Sequence, residues 1–334
     1  MSDSPQSTIP APPPVPETPT PAPTPTQSKR KALIAGAIVG VLILITGITA
    51  YAFLRGDSAQ AQPLALSFTQ GESQTYEIHQ TMDADIASDV LGSQPISMDI
   101  TQVVGWEVVS VADDGTATIE VTVSEMSGTV NGIELPDTPV PPIEMVIAPD
   151  GRIVSAGGLA LGGAGQTQGF GFPGMGQLTP LLPDEGETVA VGDTWDKEFS
   201  QEFPFGEGTI SFTATSTYER DETVDGREAA VIVTEMTVPM DFTMNFADLL
   251  ASLGPEAAGL TGADLLGKAQ IAYVGEGTVE QTSFVDLAAQ ELLETQGSGT
   301  FDIVMSFTGI PGLEVAGPAE VAFDGTFTQE MTLR

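Results

Sequence analysis

From Leu64 onward, β-branched and aromatic residues alternate with Thr, Ser, Glu and Gln at a period of two, and Gly or Asp-Gly pairs punctuate the runs. Successive side chains of a strand point to opposite faces, so this period calls for half-buried strands and disfavours amphipathic helix. Within Thr118 to Ser124, Ile119, Val121 and Val123 share one face; Ile210, Phe212 and Ala214 share another, opposite Ser211, Thr213 and Thr215. One dry face and one wet face is the habit of antiparallel sheets. Asp114-Gly115 and Asp225-Gly226 lie between such runs and read as hairpin turns. Val121 to Met126 and Ile232 to Met236 each come after one of these turns, which suggests two related meanders. Further strands are expected over Ile271 to Gln281, Gln290 to Gln296, Gly299 to Thr308 and Glu320 to Leu333. The expected fold is mainly β: a strongly curved, half-barrel-like antiparallel sheet of roughly ten or more strands, with a β-sandwich as the alternative.

Two segments break the alternation. Gly157 to Gly176 is too rich in glycine for a regular element. Asn245 to Gly267 has helical spacing at Phe246, Leu249, Leu250 and Leu253, is broken at Gly254-Pro255, and predicts a small helical insertion covering one end of the sheet. Together with the Phe-rich stretch Phe199 to Phe212, it offers more apolar side chains than a thin sheet needs. Phe203, Phe205, Phe212, Phe246, Leu249 and Leu250 are therefore the candidate lining of a ligand cavity.

Ahead of the strands, Ala32 to Leu54 is an uncharged apolar run long enough to cross a bilayer as one helix, flanked by Lys29-Arg30-Lys31 and by Arg55. The basic flank keeps the preceding tail in the cytoplasm and puts the chain from Arg55 onward outside. The competing reading is a signal peptide cleaved after Ala59-Gln60-Ala61; an h-region of roughly 7–15 residues is shorter than this run. The expected organisation is a disordered Pro-rich cytoplasmic tail over 1–31, a single-pass membrane helix over 32–54, a stalk over 55–63 and an extracytoplasmic β-rich domain over 64–334. Gly36 and Gly40 are spaced for close helix approach, though small residues are common in membrane helices anyway.

The chain carries 46 acidic against 10 basic residues, a formal charge of −36, and no cysteine. Such a field repels nucleic acid and anionic head groups, so nucleic acid is excluded as a partner. Without cysteine there is no disulfide, no thiolate zinc site and no acylated lipobox. Asp83-Ala-Asp85 and Asp113-Asp114-Gly115 lack calcium-loop spacing, and no metal ligand is assigned.

Catalytic signatures are equally sparse. Gly169-Phe-Gly171-Phe-Pro-Gly174 spells G-x-G-x-x-G, but Pro173 inside a glycine-rich loop forbids the strand-to-helix turn that a dinucleotide site needs, and no cofactor is expected. His79 is the sole histidine, on an expected strand, with no Gly-x-Ser-x-Gly elbow anywhere to use it. No catalytic residue is assigned; a hydrolase using an unmarked carboxylate pair is the minority reading.

The most specific local block is Leu181-Leu182-Pro183 with, a few residues on, Val189-Ala190-Val191-Gly192-Asp193-Thr194-Trp195, where Gly192-Asp193 predicts a tight turn and Trp195 the start of a strand. With Phe68-Thr-Gln-Gly71-Glu72-x-x-x-Tyr76 and Gly275-x-Gly277 before Phe284, this block resembles a family of uncharacterised bacterial envelope proteins, often lipoproteins. Their meanders look like the half-barrel carriers of the LolA and LppX type, which hold acyl chains against a curved sheet. The resemblance implies a membrane-tethered binding or carrier module for a lipid-like ligand, not an enzyme, with the membrane helix replacing the lipobox cysteine. The alternative is a non-catalytic structural or interaction domain with an envelope protein as partner.

Overall fold

The computed structural model describes residues 61–88, 92–135, 140–156, 159–160, 178–202, 206–245, 269–309 and 319–334, all within the compact unit Ser58–Arg334. The apolar run 32–54 lies outside them; among the described residues no helix is long and apolar enough to cross a membrane. The expected helical insertion also falls outside them, over 246–267, except for Asn245, which ends a strand.

The described residues form β1 (Ser73–Ser88), β2 (Gly92–Val111), β3 (Ala117–Val130), β4 (Ile133–Glu134), β5 (Ile143–Ile147), β6 (Ile153–Ala156), β7 (Leu159–Ala160), β8 (Thr194–Glu202), β9 (Gly206–Val224), β10 (Arg227–Asn245), β11 (Gln270–Asp286), β12 (Leu292–Thr308) and β13 (Ala319–Leu333). They make one antiparallel sheet in the order β7-β6-β5-β3-β2-β1-β13-β12-β11-β10-β9-β8, with β4 paired to β3 off this path. One meander runs outward from β1 and a second returns from β8 to β13. The pairing of β1 with β13, from Tyr76 opposite Leu333 to Ser88 opposite Val321, merges them. A single sheet replaces the two that a sandwich would require.

The turns arise from local chemistry. Asp225-Gly226 connects Val224 to Arg227 with φ of 51° and 82°, the left-handed pair that a two-residue hairpin of this twist demands. At Asp114-Gly115, the Asp114 carboxylate accepts from the Thr116 backbone N–H at 3.0 Å, which holds its pKa below the usual value. These turns make the second hairpin of each meander, β2–β3 and β9–β10. Pro239, which has no N–H to give, sits where the β9–β10 ladder lapses between Met236 and Phe242.

β12 corrects the expectation of two separate strands in this stretch. Gly297-Ser298-Gly299 looks like a break, yet β12 runs through it. Side chains from β13 occupy the space above these glycines: a Cβ at Gly297 would meet Gln329, and one at Gly299 would meet the Phe327 ring.

The sheet also curls. Tyr218, Ala230 and Ile232 of β9 and β10 share a buried cluster with Ile119, Ile147 and Ile153 of β3, β5 and β6, although β3, β2, β1, β13, β12 and β11 lie between β5 and β10 in the order. The wings therefore meet over a common inner face. Among the described residues no ladder joins the terminal strands β7 and β8, so the described sheet is not closed.

Candidate functional site

On β10 the inner face carries Ala230, Ile232, Thr234, Met236, Val238, Met240 and Phe242 in strict alternation, all buried. The same face of β1 carries Tyr76, Ile78, Met82 and Ala84. Its side chains divide into two apolar clusters. The first, built on Tyr76, Trp106, Ile119, Ile147 and Leu182, is an ordinary aliphatic and aromatic core. Burial pushes the Tyr76 phenol up, with Glu291 and Glu72 adding to the effect, and its hydroxyl donates to the Leu292 carbonyl at 3.1 Å.

The second cluster differs in kind. Met82, Met236, Met240, Phe199, Phe242, Phe301 and Phe327 dominate it, and Met98, Phe212, Met244, Tyr273, Met305 and Phe323 pack half-buried against it. Phe199 stacks on Phe212 and Phe242 on Tyr273, each with ring centroids 4.7 Å apart. Methionine side chains are flexible and polarizable, and such surfaces re-pack around differently shaped apolar partners.

Between the clusters runs a belt of neutral polar side chains. Ser216, Thr234, Gln281 and Gln329 lie in register on β9, β10, β11 and β13, with Gly297 of β12 between the glutamines. All four side chains are buried. A strap of irregular chain crosses the belt: Thr179 and Leu178 present carbonyls to Gln281 and Thr295, at 3.1 and 3.0 Å. Leu181 and Leu182 of this strap are fully buried, one in each cluster.

The strap also sews the seam between the wings. Trp195 Nε1 donates to the Leu181 carbonyl at 3.1 Å, and the Leu182 N–H to the Asp150 carbonyl at 2.9 Å. Lys197 of β8, only 7% exposed, donates to Asp150 of the β5–β6 turn at 3.1 Å and to Asp184 at 2.5 Å, while Arg152 reaches Asp150 at 2.6 Å. The Lys197 ammonium holds the Asp184 carboxyl below the usual carboxylate range. The Leu181-Leu182-Pro183 and Gly192-Asp193-Thr194-Trp195 block is thus one mechanical unit, with Gly192 at φ 97° making the expected turn and β8 starting at Thr194.

The outer face is wet. Thr237, Thr278, Thr300 and Thr326 stand in one row, Glu235, Glu280, Ser298 and Thr328 in the next, and with Thr213 and Thr215 they line a groove of about 790 Å³. Hydroxyls bond across strands, Thr278 to Thr300 at 2.8 Å and Thr81 to Thr328 at 2.7 Å. Glu276, Asp302, Asp324 and Asp85 form a further row directly opposite one another on β11, β12, β13 and β1. His79 lies on this face of β1, 3.0 Å from Asp99.

Of the sequence candidates, Phe212 is on the inner face and belongs to the methionine- and phenylalanine-rich cluster. Phe203 and Phe205 in the β8–β9 connection, and Phe246, Leu249 and Leu250 in the β10–β11 connection, lie outside the described residues. Met240, Phe242, Phe301 and Phe327 are members that sequence reasoning misses; the unbroken alternation Met236, Val238, Met240, Phe242 is the signal that marks the first two.

No protein-family model matches the chain, and no curated protein is similar to it. Among solved structures, the chain is similar to DynF from the dynemicin biosynthesis pathway of Micromonospora chersina, at 9% identity over 82% of this chain and 85% of that one, with a TM-score of 0.20. A superposition with so low a TM-score informs neither fold nor function.

Proposed function

We propose that residues 64–334 form a half-barrel-like binding or carrier module for an apolar, lipid-like ligand, tethered outside the cell membrane by the helix 32–54. The observation that carries this is the composition of the second cluster: methionines and stacked phenylalanines with a half-buried rim, on the inner face of a sheet that is curled but not closed. An acyl chain loses about 0.8 kcal/mol of unfavourable hydration per methylene buried, so a moderate length of this surface suffices for measurable affinity. The hydroxyl-lined outer groove favours a second reading, an interaction domain for an envelope protein.

Full-length protein purified from the membrane fraction and examined by native mass spectrometry is expected to carry an apolar molecule. It is also expected to bind a neutral fluorescent hydrophobic probe, with affinity falling about tenfold in Phe212→Asp while the strand signal in circular dichroism persists. No co-purified molecule and no probe binding would leave the interaction reading in its place. Recovery of the chain solely as a soluble form beginning near Gln62 would remove the tether.

A further inference from the structure

The polar belt holds an incomplete group at Gln281. Gln281 is 1% exposed, and its Nε2 donates both to the Thr179 carbonyl at 3.1 Å and to Ser283 Oγ at 2.9 Å. A backbone carbonyl only accepts, so these contacts fix the amide with Oε1 as its remaining end. That oxygen is buried and has no hydrogen-bond partner among the described residues. The large majority of buried side-chain acceptors are satisfied, which calls for a donor beyond the described residues.

We infer that Gln281 Oε1 receives a hydrogen bond from the head group of the bound molecule, and that this molecule is a neutral amphiphile bearing a hydroxyl or amide N–H. The assignment rests on the carrier reading of the same face. Position favours it: Val279, two residues from Gln281 on the same side of β11, already belongs to the methionine- and phenylalanine-rich cluster, as do Met236 beside Thr234 and Phe327 beside Gln329. A head at the belt leaves its tail over that cluster.

Charge decides the class of head. The belt offers hydroxyls and carboxamides, and the buried Lys197 is already held by Asp150 and Asp184. An ionised carboxylate or phosphate placed there would be a buried charge without a counter-ion, and the net charge of −36 opposes its approach.

The test is competition for a bound neutral fluorophore on the full-length protein in nanodiscs, with partition into empty nanodiscs subtracted. Hexadecanol, hexadecanamide, hexadecanoate and hexadecane share one chain length and differ in the head. The alcohol and the amide are expected to compete about tenfold better than the acid and the alkane, as one charge-neutral hydrogen bond allows. Gln281→Met is expected to erase that margin while leaving hexadecane unchanged; should this variant not fold, the wild-type series decides alone. Equal competition by all four, or preference for hexadecanoate, overturns the head-group assignment and leaves the carrier reading standing. A water on Oε1 in a crystal structure of the hexadecanol-loaded protein overturns it likewise. Competition by none removes both.

Discussion

Lys197 carries more of the seam than its surroundings suggest. It is a buried cation on the terminal strand β8, and its partners come from the opposite wing and from the strap. Removing one partner of a buried ion pair typically costs about 3–5 kcal/mol. Lys197→Met is expected near the lower end of that range, because Arg152 still neutralises Asp150; urea unfolding measures it. Acid should act on the same seam. The folded Asp184 pKa lies below its unfolded value, so its contribution is fully present above the unfolded carboxylate value of about 4 and is lost as pH falls through the folded value. Asp184→Asn is expected to flatten stability against pH in that window, and an unchanged acid limb would show that the contact is idle. None of this was legible in the sequence. Lysines and aspartates separated by 47 residues carry no periodic signal, whereas the Gly192-Asp193 turn and the strand start at Trp195 are local and could be read directly.

Strands were legible wherever one face is wet, since alternation needs a polar side to show itself. β3, β9 and β10 were read from this, and the Asp-Gly turns between their runs were read from left-handed backbone chemistry. β12 was not, because the glycines that let neighbouring rings lie flat are the residues that elsewhere make turns. The distinction is testable. An added Cβ at Gly299 would sit 2.2 Å from the Thr278 carbonyl oxygen and 2.5 Å from the Phe327 ring. Gly299→Ala is therefore expected to destabilise by at least the roughly 1–3 kcal/mol typical of overpacking, by thermal or urea melts. A neutral effect would mean that both the Phe327 ring and the β11 backbone at Thr278 yield freely. The candidate site was partly legible for the same reason: Phe212 falls on an alternating strand, and its cluster mates Phe301 and Phe327 sit among glycines that obscured the pattern.

Across the whole molecule, like charge is a standing cost. Glu276, Asp302, Asp324 and Asp85 face one another across four neighbouring strands, about 4.8 Å apart in the hydrogen-bonding direction, and directly opposed like charges weaken a sheet. Raising the salt concentration, or replacing Asp302 by Asn, is expected to raise the melting temperature; a melting point that falls in both cases would show that these carboxylates serve the fold in another way. The junction of β1 with β13 has a different consequence, one of timing. The strand that emerges first is completed by the strand that emerges last of the thirteen, so during synthesis β1 waits with an open edge while every intervening strand is delivered. The first meander must therefore persist as an unfinished sheet, exposed to mispairing with other copies, until β13 arrives to seal it.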